Sequence, residues 1–145
     1  MMSRIVLTIC LFSMFVFPVT KAQASASVCV KDVCVSVEVV SQPEAMQRGL
    51  QGRDSLADNH GMLFVFKDDD FQRFWMKDMK FAIDIVWIDD QHRIVTIAAS
   101  RPPCESGPCE VYSPSKKARY VLEVPSGFMR KNKLKEGNVF EFKGI

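Results

Sequence analysis

The sequence predicts a mainly β chain of α+β type, folded as one barrel-like or sandwich-like domain with two short helices. Three observations carry this. About seven segments have strand length and either alternate or run apolar between turn residues. Helix signals occur at only two places, and both are short. The stretch Gly61–Ile88 concentrates both tryptophans and three of the eight methionines, enough to centre one core. The 145 residues favour one domain, and there is no internal repeat or low-complexity segment.

Taken in order, residues 1–24 read as a secretory signal peptide. Arg4 gives a basic start, Ile5–Val19 is apolar, and Ala22, Ala24 and Ala26 offer small residues for cleavage. The apolar run of about 15 residues falls short of the ~20 that a spanning helix needs. The chain is therefore expected to be exported, to the periplasm or outside the cell. It meets a membrane only through this segment, if the segment stays uncleaved. Residues 25–145 are then the single folded domain.

Val33–Val40 alternates, with Val33, Val35, Val37 and Val39 expected on one buried face. Ser41 with Glu44 three residues later reads as a capping box for a helix over Gln42–Arg48, and Gly49 as its C-cap. Met62–Phe66 is an apolar run that reads as a strand covered on both faces, and Lys67–Asp70 as a solvated loop. Arg73–Met76 is a short strand. Phe81–Ile88 is the strongest strand signal, and it turns at Asp89–His92 into a strand over Arg93–Ala98. Arg101–Ser115 reads as a long loop with four prolines. Tyr120–Val124 is a strand stopped by Pro125, Phe128–Asn132 a helical turn, and Val139–Phe142 the last strand.

Cys10 lies in the leader. The other four cysteines form two equal spacings, Cys29-x4-Cys34 and Cys104-x4-Cys109. An even count in an exported chain argues for disulfides, and local pairing is the simplest of the three possible arrangements. A two-residue turn at Lys31-Asp32 would set Cys29 opposite Cys34, and Gly107-Pro108 turns the second loop. Zinc sites use tighter spacings, so no metal is assigned to these thiols.

Without residues 1–24 the chain carries 17 basic and 17 acidic residues. Asp54–Asp90 is acidic and Lys116–Lys143 basic, which reads as two solvated faces. A neutral exported chain is a poor nucleic-acid binder, and no nucleic-acid partner is expected.

The segments GMLFVF, FWMK, IDI, RPPC…PC…Y and ARYVLEVPSGF occur in the order and spacing of the DUF192 (UPF0127) family, which the chain resembles from about Val33 to Phe142. The resemblance implies a small, exported-type, β-rich single domain, and it implies no activity. The chain departs from the family pattern at Gln51, at Asp78-Met79 where Asn-Thr is usual, near Ala82, and at Gly137-Asn138.

Asp84, between Ile83 and Ile85, is the residue that most needs explaining, because a lone carboxylate in an apolar core costs several kcal/mol. One reading pairs it with a cation or with backbone N–H groups. The other sets it at the mouth of a ligand cleft. Trp75 and Lys77 share one strand face and could frame such a cleft, with Arg48, Arg53 and Arg101 as charge partners. The function expected on this basis is a non-enzymatic binding module for a small polar ligand or an envelope component, with no cofactor and no catalytic residue assigned. One alternative is a small enzyme using Asp84 as acid or base, with His60 as the conceivable base. Another is a Cu(I) binder built from Met62, Met76, Met79 and His60. No serine elbow, His-Glu-x-x-His or phosphate loop is present. The oligomeric state is left open.

Overall fold

Alternation and apolar runs produce nine strands and two short helices in the computed structural model, which describes residues 25–145. The leader expected over residues 1–24 lies outside the described residues. The chain runs β1 (Ser27–Val30), β2 (Val33–Val40), α1 (Pro43–Arg48), β3 (His60–Asp70), β4 (Phe74–Trp75), β5 (Ile83–Ile88) and β6 (Ile94–Arg101). It continues with β7 (Val111–Tyr112), β8 (Ala118–Pro125), α2 (Phe128–Lys131) and β9 (Glu141–Lys143).

Seven strands form one sheet in the order β6-β5-β8-β3-β2-β1-β9, and β4 pairs with β7 in a separate ribbon. Only β2 and β3 run parallel, and the crossover between them carries α1. The residues before β9 return to the start of β6. Gly137 N–H donates to the Ile94 carbonyl at 2.8 Å, and Ile94 N–H to the Asn138 carbonyl at 2.9 Å. Phe142 stacks on His92 with ring centroids 4.0 Å apart. These contacts draw the two sheet edges together, so the sheet curls into a half-barrel, and the mainly β fold class is what the sequence predicts.

Each face of the sheet has its own core. One holds Val35, Leu63, Val86, Leu122 and Val124 and is plugged by Phe128 and Met129 of α2. The other holds Met62, Phe64, Ile85, Trp87 and Val121, and is covered by Leu50 after α1 and by Met76 and Met79 after β4. All six residues of β5 are buried because it lies inside the sheet with a core on each side. The Trp87 indole N–H donates to the Gln72 carbonyl at 2.7 Å and anchors the covering segment to β5.

Several local expectations change. Lys67–Asp70 is not a loop, because β3 continues through it to pair Asp70 with Ala118. The Arg101–Ser115 segment contains β7, which gives Phe74 and Trp75 their partners, Tyr112 and Val111. Val39 is exposed and Val40 buried, so the alternation of β2 shifts at its end, where the chain leaves for α1. Gln42 rather than Ser41 precedes α1, and no side chain caps it; Pro43 opens the helix by its fixed φ instead. Gly49 ends α1 at φ +49°, and a Cβ there would lie 3.3 Å from the Phe64 ring. The last strand forms at Glu141–Lys143, after Val139 has made a single bridge to Arg93.

Both local cysteine pairs form. Cys29 and Cys34 face each other across the β1–β2 hairpin with Cα atoms 4.1 Å apart, and Lys31 takes φ +53° in the turn. Cys104 and Cys109 close the proline-rich loop. Among the described residues, no helix is long and apolar enough to cross a membrane.

Candidate functional site

Asp84 is fully buried, and three backbone donors take up its carboxylate. Oδ1 accepts from Ser100 N–H at 2.7 Å and Gly127 N–H at 3.0 Å, and Oδ2 accepts from Met129 N–H at 2.9 Å. The local geometry explains these donors. Between Ile83 and Ile85, β6 advances from Arg101 to Ala98, so it holds one residue more than β5. That bulge leaves Ser100 without a ladder partner, at φ +51°. The start of α2 leaves further N–H groups without intrahelical acceptors. Asp84 satisfies both and ties the bulge to α2. Its carboxylate is closed off from solvent and paired with backbone donors, the arrangement of the first reading of Asp84 rather than of a cleft mouth.

Glu123 is the other buried acid, 5% exposed, and its Oε2 has no hydrogen-bond partner. It lies on β8 between Met62 of β3 and Ile85 of β5, one register step from the Asp84–Val124 pair. Successive strand residues point to opposite faces, so Glu123 shares the face of Val121 and Asp84 that of Leu122 and Val124. Gly61 allows β3 to pass close by: a Cβ there would meet the Glu123 carbonyl at 2.7 Å. Burial pushes the Glu123 carboxyl up to about 8, against the opposing charge of Arg53. At neutral pH the protonated form predominates.

Glu123 lines a groove of about 280 Å³ between α1 and the β4 segment. Phe64, Phe66, Phe74 and Trp75 supply aromatic walls, with Leu50 and Met79 beside them. Phe64 and Phe74 meet edge to face at 4.9 Å, which fixes part of the wall. Arg48 and Arg73 also line the groove and are exposed, whereas Glu123 is buried. Burial therefore separates the charged residues of the lining, with one buried acid and two exposed arginines. The volume lies just below the roughly 300–1,000 Å³ usual for small-molecule sites.

The sequence-derived candidates divide on this geometry. Trp75 and Arg48 line the groove. Lys77 stands beside it, its Nζ 6.0 Å from the Trp75 ring centroid. Arg53 does not line the groove but bridges Glu38 at 2.8 Å on the surface and acts on Glu123 through its charge. Arg101 lies elsewhere, 5.2 Å from the Tyr112 ring, with a buried Nε that has no partner. Met62, Met76 and Met79 are buried in one core, while His60 is exposed and meets Asn59 Oδ1 at 2.9 Å. Among the described residues no group of three or more His, Cys, Asp or Glu side chains could hold a metal.

Sequence reasoning missed Glu123 although the signal was present. It interrupts the apolar run Val121–Val124 just as Asp84 interrupts Ile83–Ile88. Arg73, Phe64, Phe66 and Phe74 were legible only as strand and core, whereas Trp75 was already a candidate.

The DUF192 family model, described as an uncharacterised ACR, matches residues 26–142. A UPF0127 protein of Thermococcus gammatolerans is 29% identical over 86 residues, 58% of this chain and 52% of that protein. A UPF0127 protein of Thermococcus kodakarensis is 27% identical over 86 residues, 58% of this chain and 51% of its own. The chain thus spans about half the length of the curated relatives it matches. A crystal structure of a protein of unknown function from Novosphingobium aromaticivorans superposes with a TM-score of 0.74 at 25% identity, covering 87% of this chain and 90% of that one. Another, from Sinorhizobium meliloti and named as a candidate transcription regulator, has a TM-score of 0.73 at 24% identity, covers 83% and 93%, and speaks to the fold alone.

Proposed function

The chain belongs to the DUF192 family, whose function is uncharacterised, and from that premise we propose that it is an exported, non-enzymatic binding module whose groove beside α1 takes a small ligand or envelope component. One observation carries the reading: an aromatic-walled groove is lined by Glu123, a buried acid whose Oε2 has no hydrogen-bond partner. Such an oxygen costs about 1–3 kcal/mol while it stays unmatched, and a ligand that meets it recovers part of that cost. The apolar walls supply area for binding, and the single polar group at the floor supplies orientation. Two local disulfides support the exported part of the reading, since they persist in oxidising compartments.

The test uses methionine-methyl NMR of the intact chain titrated with 1-hexanol, a neutral molecule that fits an apolar wall. Met46 and Met79 line the groove, and Met129 lies in the opposite core. The expected result is saturable shifts at Met46 and Met79 with Met129 unmoved. Shifts spread equally over all three, or none at all, would sink the reading.

A further inference from the structure

Resting on that reading, we propose that the groove is selective for amphoteric ligands, with an amine directed to Glu123 at the floor and an anionic group held by Arg48 and Arg73 at the mouth. A carboxyl at the floor of an apolar groove is a net cost to a protein that binds a purely apolar or purely anionic molecule, because an apolar side chain would serve better. A donor on the ligand makes that carboxyl useful, and an ammonium makes it most useful, since charge-assisted hydrogen bonds are about twice as strong as neutral ones. Arg48 and Arg73 argue against a simple amine. Both are exposed, both line the groove, and neither forms an ion pair among the described residues. Two free guanidinium groups repel a cation at the entrance unless it carries its own anion, and each can grip a carboxylate or phosphate with two parallel N–H donors.

The charged groups that act on the floor are few. Arg53 acts on Glu123 through its charge from the α1–β3 connection, while Arg48 at the end of α1 and Arg73 before β4 line the groove. Binding an ammonium requires Glu123 to ionise. The ligand therefore displaces one proton to solvent at neutral pH, and the carboxylate–ammonium pair replaces the neutral acid. No bond to carbon changes.

The experiment compares hexylamine, hexanoate and 6-aminohexanoate by calorimetry, with the Met46 and Met79 signals locating each and 1-hexanol as the uncharged reference. We expect 6-aminohexanoate to bind about tenfold or more tightly than either single-charge compound. Its affinity should rise from about pH 6 to about pH 8 as Glu123 gives up its proton more easily, while the amine stays charged throughout. Glu123→Gln should remove the gain from the amine and the pH dependence but leave hexanoate binding in place. Arg48→Gln with Arg73→Gln should do the reverse, and the two sites are exposed enough to leave the fold intact. Two outcomes overturn the amphoteric class while the groove stands. In one, hexanoate binds as tightly as 6-aminohexanoate. In the other, Glu123→Gln leaves both affinities unchanged while 1-hexanol still moves Met46 and Met79. If neither 1-hexanol nor any of the three compounds moves those signals, the groove reading fails and the ligand class fails with it.

Discussion

Asp84 and Glu123 stand one register step apart, on adjoining strands and on opposite faces of one sheet. Each interrupts an apolar run, and each is buried. Their surroundings differ in one respect. Asp84 lies beside irregular backbone, the β6 bulge and the start of α2, where N–H groups lack partners. Glu123 lies between β3 and β5, where the ladder is regular and consumes its own donors. The difference teaches that a buried carboxylate is satisfied by what the neighbouring backbone leaves over. Irregular backbone made Asp84 a staple. A regular ladder left Glu123 facing a groove.

The strongest way to break this contrast is at Asp84. Asp84→Ala leaves three backbone donors unmatched, at about 1–3 kcal/mol each. The expected loss of about 3–9 kcal/mol rivals the roughly 5–15 kcal/mol that holds a domain together. Asp84→Asn keeps one acceptor but turns its amide N–H₂ towards a donor, so it should lose less, about 2–4 kcal/mol. Urea unfolding of both variants, with the soluble fraction as a second readout, measures this. An Asp84→Ala protein as stable as the parent would remove the staple.

Glu123 should respond in the opposite direction. Its folded value lies above its ordinary 4.5, at about 8. Below about pH 4.5 both folded and unfolded chains hold the proton, and no difference arises. Between about 4.5 and about 8 the unfolded chain has released it and the folded chain has not, so stability falls as pH rises. The fall is at most about 5 kcal/mol, and less where water reaches the groove. Glu123→Gln should flatten that slope and leave the protein more stable than the parent at pH 8, with little change at pH 4.5. Urea midpoints at the two pH values decide it. A parallel slope in the variant would assign the pH dependence to another group.

The contrast also marks what could be read from sequence. Periodicity located β2, β5 and β8, and the cysteine spacing gave both bridges, because these depend on residues near one another in the chain. Asp84 stood out for the same local reason. Its partners did not, since Ser100, Gly127 and Met129 reach it only through a bulge and a helix start that no motif announces. Glu123 carried an equal local signal within Leu122-Glu123-Val124, yet its meaning depends on α1 and β4 crossing over that face. Lys67–Asp70 read as a loop because three aspartates suggest solvent; they are the outer end of β3, and Asp69 pairs with Arg119 at 2.6 Å. The candidate cations scatter, because their placement depends on the same crossing: Arg48 lines the groove, Arg53 bridges Glu38 and Arg101 lies by Tyr112, while Arg73, which also lines the groove, was not among them.

The smallest effect on the fold belongs to Trp75, which shares the groove with Glu123 but sits at its edge. Trp75 is 49% exposed, its strand partner Val111 is 52% exposed, and Lys77 lies 6.0 Å from its ring. An exposed cation–π contact contributes about 0.5–1 kcal/mol. Trp75→Ala should therefore cost about 1 kcal/mol or less, and it should leave the pH slope of Glu123 as it was, because Trp75 stands at the exposed edge of the groove while Glu123 is buried. The same change should weaken 1-hexanol binding at Met46 and Met79, since one aromatic wall is gone. This separates wall from floor within one groove. If Trp75→Ala instead shifted the pH dependence as Glu123→Gln does, the β4–β7 ribbon would be what keeps water from the carboxyl. The floor of the groove would then be made by its cover, not by the sheet.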